Sequence, residues 1–423
     1  MSLRIVIDPG HGGDSLGGNT DEYIEKYLDA KVADYMKERL SQYDGVEVFL
    51  TRTDPDAGEL SIKDRVKIAA DHNADFLFSI HFNMSVDHDL YGSEVWVSAF
   101  GDYYRQGKDF ADIEMEGLTS LGFFDRGIKT KIGKEGTDYY GIMRYACESN
   151  IPAVIIEHCH MDESRDTDIL KAGGEELYKT LGYLDADSVA KFYHLTSSSL
   201  GIDYSNYTYD QEPLPASVVM PDLTAPSTCD IELISSDTAG GEATVKITAA
   251  DNESILQYYK YSLNGGNTYS KLYPWNDDNT AKAAAPANSI TITVPLSDDG
   301  PSDLIVAVCN RFDLATTSNT LSLPAKEKKI DRIPEDKLLE YDSISYNDNG
   351  MITENITSSK DGTNSAGDTY TEVSSDTAFT KSSGNTDIIL FVLFAAIGLA
   401  AILTLGIGIY VHNTKKRRRK RRH

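Results

Sequence analysis

The stretch Arg4-Ile5-Val6-Ile7-Asp8-Pro9-Gly10-His11-Gly12-Gly13 begins as an apolar run and ends in a glycine-rich loop that carries a histidine. A short run of β-branched residues that stops at Pro-Gly is typical of a buried strand followed by a turn. Open α/β sheets build their binding sites beyond the carboxyl ends of their strands. His11 is therefore the first candidate site residue, and the stretch predicts the first strand of such a sheet.

Strands and helices continue to alternate up to about residue 195. Apolar residues recur at every fourth position from Ile24 to Leu40, which predicts an amphipathic helix after the first strand. The alternation predicts an α/β domain at residues 1–195, with an open, mostly parallel sheet and helices on both faces. Further strands are predicted at 46–51, 76–82, 94–97, 139–143 and 153–156, and further helices at 62–74, 102–121 and 163–194.

Two further ionisable residues end predicted strands in the same way. His81 follows Phe78-Ser79-Ile80, and Glu157 follows Ala153-Val154-Ile155-Ile156. With His11, three such residues at three strand ends are hard to attribute to packing, because sites in open α/β sheets form at this edge. Two histidines and a carboxylate are a common ligand set for a catalytic Zn²⁺ ion with an open position for water.

The carboxylate ligand is expected from an element beside these strand ends. Glu25 lies at the start of the first predicted helix, and Glu22 lies three residues earlier on the same side. A glutamate at a helix N-terminus also interacts favourably with the helix dipole, which would explain Glu22 without a metal. A second carboxylate that does not bind the metal can take a proton from water and return it to the leaving nitrogen. Glu157 suits that role.

Six short motifs lie in order between about residues 3 and 182. They are the loop with His11, Glu25-Lys26, Leu60 with Arg65, Ser79-Ile80-His81-Phe82-Asn83, Gly92 with Glu94, and Ile151-Pro152-Ala153-Val154-Ile155-Ile156-Glu157. In combination they resemble the zinc-dependent N-acetylmuramoyl-L-alanine amidases of the Amidase_3 type. The resemblance implies a zinc ion held by His11, Glu25 and His81, with Glu157 as the catalytic carboxylate. It also implies that the partner is peptidoglycan, cleaved at the amide between the lactyl group of N-acetylmuramic acid and L-alanine.

The sequence departs from the family pattern directly after Glu157. His158-Cys159-His160 stands where the family usually has a small residue followed by Gly-Phe. His160 is expected either to fill an aromatic-sized space or to contact substrate, and Cys159 to be either an inert buried thiol or a thiolate at the metal site. The departure motivates the alternative of a non-catalytic cell-wall-binding protein with a degenerate amidase domain. A different peptide or amide substrate is also open.

Three residues are candidates for substrate binding, and a fourth is an alternative catalytic carboxylate. Arg65 and Asn83 are candidate substrate-binding residues, as is His160. Arg65 has the alternative of a salt bridge to a nearby carboxylate. Glu94, which precedes Trp96 by two positions on a predicted strand, is the second candidate for the catalytic carboxylate.

The pattern changes after the α/β domain. Residues 196–224 are rich in Ser, Tyr, Pro and Asp and are predicted to be a linker. Residues 225–325 contain short runs of alternating apolar and polar residues, which predict an all-β immunoglobulin- or fibronectin-like sandwich. Cys229 and Cys309 lie near its two ends, and either a disulfide or two packed free thiols is compatible with the sequence.

The C-terminal part predicts a membrane anchor. Residues 326–386 are predicted to be a disordered tether, because 26 of the 36 residues from Met351 to Thr386 are Ser, Thr, Asp, Asn, Gly or Glu. Residues 387–411 are predicted to form a single transmembrane helix, followed by the basic tail 412–423. The positive-inside rule places this tail in the cytosol and the other domains outside the cell membrane.

The charge distribution agrees with this arrangement. The chain has 40 Lys and Arg against 66 Asp and Glu, a net charge of −26, which argues against binding of nucleic acid. Eight of the basic residues lie in the run 415–422. An external domain needs an export signal, yet Met1-Ser2-Leu3 leads directly into a predicted strand and no such signal is visible. We therefore expect that a signal was removed or that the start lies elsewhere.

Overall fold

A six-stranded sheet forms the centre of the N-terminal domain in the computed structural model, which describes residues 2–276 and 288–328. Its strands are β1 (Leu3–Pro9), β2 (Val46–Leu50), β3 (Phe76–Asn83), β4 (Ser93–Val97), β5 (Asp125–Lys129) and β6 (Ala153–His160). They lie in the order β2-β1-β3-β6-β4-β5, and neighbours run parallel except for β6 and β4. The prediction of a mostly parallel sheet is confirmed, with one antiparallel pair that makes the sheet mixed.

Five helices cover both faces of this sheet. They are α1 (Glu25–Leu40), α2 (Ile62–Asp71), α3 (Gly101–Ser120), α4 (Gly141–Glu148) and α5 (Ser164–Phe192). Apolar residues of α1, α3 and α5 share one core with the sheet, and those of α2 and α4 share a second core on the opposite face. The four-residue spacing in α1 places Leu28, Val32 and Met36 in the first core. The predicted α/β fold class is therefore confirmed.

Two elements of this domain differ from the sequence prediction. The strand predicted at 139–143 is wrong, because the chain forms α4 there and buries Ile142, Met143 and Ala146 at helical spacing. A short apolar run fits both periods, so the pattern could not separate them. Strand β5 was not predicted, since its sequence Asp-Arg-Gly-Ile-Lys has no alternating apolar pattern. Its buried residues Arg126 and Lys129 are instead neutralised by ion pairs.

Two antiparallel sheets follow, which we call the two-sheet domain (residues 228–276 and 288–323). Short strands β7 (Thr196–Ser197) and β8 (Ile202–Asp203) pair within the segment that leads to it. The first sheet has the order β13-β10-β9, and the second has the order β12-β11-β14-β15, with β16 also pairing β14. Their bounds are β9 (Thr228–Asp237), β10 (Glu242–Ala250), β11 (Leu256–Ser262), β12 (Tyr273–Pro274), β13 (Ser289–Pro295), β14 (Ser302–Asn310), β15 (Ala315–Thr317) and β16 (Leu321–Leu323).

Both sheets contribute to one apolar core. Val245 and Val294 from the first sheet and Val306 and Val308 from the second belong to the same buried cluster. Cys229 and Cys309 are both free thiols, so the disulfide alternative is not adopted. The relation of this domain to immunoglobulin or fibronectin modules stays a prediction.

The two-sheet domain and the α/β domain belong to one compact unit, Met1–Arg332. A small apolar cluster joins them, with Tyr91 and Phe124 from the α/β domain and Tyr258, Leu272 and Cys309 from the two-sheet domain. The transmembrane helix and basic tail predicted for 387–423 lie outside the described residues, as does the tether from 329 onward. Within the part of the chain that is described, no helix is long and apolar enough to cross a membrane.

Candidate active site

A cavity of about 710 Å³ lies over the carboxyl ends of β1, β3 and β6. This is the edge at which open α/β sheets place their sites. The cavity brings together four sequence-predicted residues at the strand ends, one from the start of α1 and one from α2. These lining residues are His11, Glu25, Arg65, His81, Asn83 and Glu157.

In three of these residues, the atoms that could bind a metal lie close together. Glu25 Oε1 lies 3.0 Å from His11 Nε2 and 2.9 Å from His81 Nδ1. Two imidazole nitrogens and a carboxylate oxygen that converge in this way can hold a divalent metal, and the set matches the preferences of zinc. Glu22, the competing candidate, is exposed and pairs with Lys171 at 2.9 Å. The geometry therefore selects Glu25.

The electrostatics around Glu25 favour its ionised form. Burial by itself would raise the pKa of Glu25, but hydrogen bonds and charge from His11 and His81 lower it to about 2. The amide of Gly18 also donates to Glu25 Oε2 at 2.5 Å. Such donors to the charged form stabilise it. Glu25 is thus a carboxylate over the whole physiological pH range.

Asp29 joins this group of ligand atoms, although its sequence position did not predict it. It lies one turn after Glu25 on α1, and its donor atom falls within 4.8 Å of those of His11, Glu25 and His81. Both of its oxygens are buried and lack a hydrogen-bond partner among the described residues. Burial and the negative charge of Glu25 raise the pKa of Asp29 well above its ordinary value. The four-residue spacing from Glu25 was the signal that could have placed it on this face.

Arg65 anchors the loop that carries His11 through hydrogen bonds to its side-chain and backbone oxygens. His11 itself has a positive φ of 56°, which is uncommon for a residue other than glycine. Arg65 donates to Asp8 Oδ1 and to the Pro9 carbonyl, each at 2.7 Å, and also to the His11 carbonyl. Since the side chain is only 3% exposed, its donors are directed at the loop. Arg65 was predicted as a substrate contact, yet it lies at the cavity wall as an anchor of the His11 loop.

Glu157 has the environment expected of a proton carrier. It lies on β6 and is the register partner of His81 on β3. Its Oε2 atom is buried and has no hydrogen-bond partner within the described segments. Burial, together with the negative charges of Glu25 and Glu94, raises the pKa of Glu157 well above its usual range. A carboxyl group with a raised pKa can hold and release a proton near neutrality.

Glu94, the second candidate for that role, is in a different situation. Its Oε1 accepts from Asn83 Nδ2 at 3.0 Å and Trp96 Nε1 at 3.1 Å. Its Oε2 accepts from Arg126 Nε at 2.9 Å and Lys129 Nζ at 2.6 Å. Burial would raise its pKa, but the charges of Lys129 and Arg126 hold it far below the ordinary value. Glu94 is outside the cavity lining, so the geometry favours Glu157.

The segment His158-Cys159-His160, which we call the departure segment, is buried and lies outside the cavity lining. His160 is 1% exposed, and its Nδ1 lies 3.1 Å from the Gly92 carbonyl, so its predicted substrate contact is wrong for this geometry. Burial lowers the pKa of His160 to about 3. Cys159 is a free, fully buried thiol, and burial raises its pKa well above the ordinary value, as expected of an inert thiol.

His158 occupies a buried polar cluster behind His81. Its Nδ1 lies 3.1 Å from the His81 carbonyl, and its Nε2 lies 3.1 Å from Asp185 Oδ1. Because a carbonyl can only accept, Nδ1 is the donor to His81. His158 and Asp185 are both 0% exposed. The first histidine of the departure segment therefore supports the strand end that presents His81.

Comparisons with known proteins find relatives of the α/β domain. Residues 5–177 match the profile of the family described as N-acetylmuramoyl-L-alanine amidase. The sporulation-specific N-acetylmuramoyl-L-alanine amidase of Bacillus subtilis (strain 168) is 31% identical over 172 residues, which cover 40% of this chain and 60% of that protein. N-acetylmuramoyl-L-alanine amidase CwlM of Bacillus licheniformis is 26% identical over 207 residues, covering 47% of this chain and 72% of that protein.

Solved structures show the same likeness over part of the chain. Cwp6 from Clostridium difficile is 26% identical with a TM-score of 0.42, and the match covers 45% of this chain and 29% of that one. The catalytic domain of CwlV from Bacillus (Paenibacillus) polymyxa var. colistinus is 26% identical with a TM-score of 0.38, covering 45% of this chain and 98% of that one. Because these TM-scores are low, the relationship rests on the sequence matches.

Proposed function

We propose that the chain hydrolyses the amide between N-acetylmuramic acid and L-alanine in peptidoglycan with a bound zinc ion. The match of residues 5–177 to the N-acetylmuramoyl-L-alanine amidase family and the similarity to two amidases of Bacillus support this activity. The observation that carries this proposal is one cavity in which His11, Glu25 and His81 converge while Glu157 presents an unpartnered, buried oxygen. This arrangement combines a metal-ligand set with a separate proton carrier.

The chemistry divides between the metal ligands and Glu157. His11, Glu25 and His81 would hold zinc, and zinc, when bound, supplies a Lewis acid that polarises the scissile carbonyl and increases the acidity of water. Glu157 Oε2 accepts a proton from the water whose oxygen attacks the carbonyl carbon. As the C–N bond breaks, Glu157 delivers that proton to the leaving nitrogen of L-alanine. The raised pKa of Glu157 suits both transfers.

Two supporting groups keep the reacting groups in place. Arg65 fixes the backbone from Asp8 to His11, so the first histidine is presented in a defined conformation. His158 fixes the carbonyl of His81 from the other side of the sheet. Preorganisation of this kind limits the reorganisation needed when substrate binds.

The test is release of stem peptides with a free L-alanine N-terminus from purified peptidoglycan. We expect activity that depends on zinc and falls by about 10²-fold or more in Glu157→Gln, with the zinc content of that variant unchanged. Glu22→Gln is the matched control, because Glu22 is an exposed glutamate just before the same helix. Full activity of Glu157→Gln would refute the mechanism.

The alternative of a non-catalytic wall-binding protein loses the observation that motivated it, since His158, Cys159 and His160 are buried outside the cavity lining.

We also propose that the chain is anchored in the cell membrane by one C-terminal helix, with the amidase domain outside. The support is sequence alone: residues 388–411 contain Thr404 as their single clearly polar side chain and precede the basic run 415–422. Protease treatment of intact cells that express the full chain tests this topology. We expect loss of the amidase domain and protection of the basic tail, whereas protection of both would refute the orientation.

A further inference from the structure

We propose that the two-sheet domain is part of the catalytic unit, because Asp313 and Tyr258 hold Arg126 and thereby position Glu94 beside Glu157. The inference rests on the proposed amidase function and assigns Asp313 and Tyr258 as positioning residues for it. The alternative role of such a domain is a spacer or an independent binding module. A spacer would leave the catalytic domain complete without it, so the two roles differ in a measurable way.

Arg126 is one of the residues through which the two domains contact each other. It lies on β5 and is 2% exposed, although β5 is an edge strand of the six-stranded sheet. Arg126 Nη2 donates to Asp313 Oδ2 at 2.7 Å, and Arg126 Nη1 donates to the Tyr258 hydroxyl at 3.1 Å. The Tyr258 hydroxyl in turn donates to the carbonyl of Tyr91 at 2.8 Å. Two of the three donor nitrogens of this guanidinium are therefore directed into the two-sheet domain.

The third nitrogen of Arg126 connects this interface to the active site. Arg126 Nε donates to Glu94 Oε2 at 2.9 Å, and Lys129 Nζ donates to the same oxygen at 2.6 Å. Glu94 on β4 is the register partner of Glu157 on β6. Its other oxygen accepts from Asn83, two residues after His81. Glu94 thus contacts the strand end that presents a metal ligand and faces the strand that presents the proton carrier.

The charges of this network balance only when the two-sheet domain contributes its carboxylate. Glu94 and Asp313 carry two negative charges, and Arg126 and Lys129 carry two positive charges. Three of the four side chains are at most 3% exposed. Removal of one member of a buried ion set leaves a charge without compensation, and neighbouring groups move to satisfy it. Without Asp313, Arg126 would pair with one carboxylate instead of two. Its side chain could then move and change the hydrogen bond that it donates to Glu94.

Asp313 is itself fixed in the turn between β14 and β15. Its φ of 63° is positive, and its amide donates to the Asn310 carbonyl at 3.0 Å. Asn and Asp tolerate this conformation better than most residues. Asp313→Asn therefore preserves the turn and the side-chain shape while it removes the charge. Tyr258→Phe similarly removes one hydroxyl and leaves the ring in its apolar cluster.

The same interface supplies a matched control. Lys260 on β11 pairs with Asp89 at 3.2 Å, and each side chain is 26% exposed. This pair joins the same two domains as Asp313 and Arg126 but is not part of the hydrogen-bond network of Glu94. Lys260→Met therefore weakens the domain contact without touching the proposed positioning network.

The experiment measures stem-peptide release by the full chain, with kcat, KM and zinc content determined for each variant. Asp313→Asn and Tyr258→Phe should each lower kcat on the order of tenfold or more, with KM and zinc content unchanged, because one charge-assisted or buried hydrogen bond is lost. Lys260→Met should retain wild-type kcat. In an Arg126→Gln background, Asp313→Asn should have no further effect, since it acts through Arg126.

Each other outcome counts against the inference. Wild-type kcat in both Asp313→Asn and Tyr258→Phe would overturn it, as would equal losses in Lys260→Met, which would indicate a general effect of the domain contact. Additive losses in the Arg126→Gln background would show that Asp313 acts by another route. A wild-type chain that releases no stem peptides would instead refute the proposed function, and this inference with it.

Discussion

Glu94 and Glu157 are register partners on neighbouring antiparallel strands, and their surroundings shift their pKa values in opposite directions. Four donors surround Glu94, whereas one oxygen of Glu157 is buried without a hydrogen-bond partner in the described structure. A pair of carboxyl groups separated in this way assigns one as a fixed charge and the other as the proton carrier.

This contrast predicts different consequences for the same substitution at the two positions. Glu157→Gln should lower kcat by about 10²-fold or more, the usual contribution of a general acid-base, and should leave stability near that of the wild type. Glu94→Gln should lower the free energy of unfolding by about 3–5 kcal/mol, because Arg126 and Lys129 lose their buried carboxylate. Urea unfolding and kinetics on both variants test this. Equal stability loss at the two positions would contradict it.

A glycine beside the proposed metal ligands gives a second prediction. Gly17 has a φ of 71°, and a Cβ there would collide with Glu25 Oε2 and the His11 ring. Gly17→Ala should therefore weaken zinc binding as well as stability. Gly45→Ala is the matched control, since Gly45 has a φ of 76° and no neighbouring atom within 4 Å of an added Cβ. Gly45→Ala should lower the free energy of unfolding by about 1 kcal/mol, through backbone strain alone, and should leave zinc affinity unchanged. Calorimetric zinc titration separates the two, and equal zinc affinity in both variants would refute the collision.

Arg65 should be essential for the conformation of the His11 loop. Arg65→Met removes the buried partner of Asp8 and should lower the free energy of unfolding by about 3–5 kcal/mol. Zinc affinity should fall as well, because the carbonyl of His11 loses its donor. Lys67→Met is the control: Lys67 lies on the same helix and pairs with Asp71 at the surface, and such pairs contribute about 0–1 kcal/mol. A loss of substrate affinity alone in Arg65→Met would restore the substrate-binding role.

Zinc removal should lower the thermal stability of the wild type. A ligand that binds only the folded state at a thousandfold excess over its Kd stabilises by about 4 kcal/mol. A chelator should therefore reduce the Tm of the wild type and of Glu22→Gln. In Glu25→Gln the chelator should have no effect, since one of the three converging ligands is lost. Scanning calorimetry with and without chelator gives the result, and an unchanged wild-type Tm would argue against a bound metal.

His160 should make the protein sensitive to acid. Burial lowers the pKa of His160 to about 3, whereas the unfolded chain binds a proton near pH 6.5. The unfolded state therefore holds more protons between these values, and stability present above pH 6.5 is lost as pH falls toward 3. The free energy of unfolding should fall by about 2 kcal/mol between pH 6.5 and 5. His160→Phe should show a correspondingly smaller loss in urea unfolding over this range, and an unchanged slope would contradict the assignment.

Local sequence patterns were sufficient for the main parts of the site. The apolar runs before His11, His81 and Glu157 predicted three strand ends, and the parallel arrangement brought these ends to one edge. The same patterns failed at β5 and α4. Charged residues of β5 are buried only because partners from other elements neutralise them, and the short run at 139–143 fits a helix as well as a strand. Asp29 was missed although it follows Glu25 by four positions, because a lone aspartate in a helix gives no local signal that it is buried beside two histidines.

The sequence by itself determined which residue types stand at the strand ends, since apolar periodicity and glycine-rich turns are local properties of the chain. Only the tertiary structure decided which carboxylate is free and which is fixed. That decision depends on partners remote in sequence: Arg126 is 32 residues from Glu94, and Asp313 is 187 residues from Arg126. The charge state of a buried group follows from the groups packed around it. Folding therefore left Glu157 Oε2 buried without a partner among the described residues, fixed Arg65 behind the His11 loop and connected Asp313 to Glu94 through Arg126.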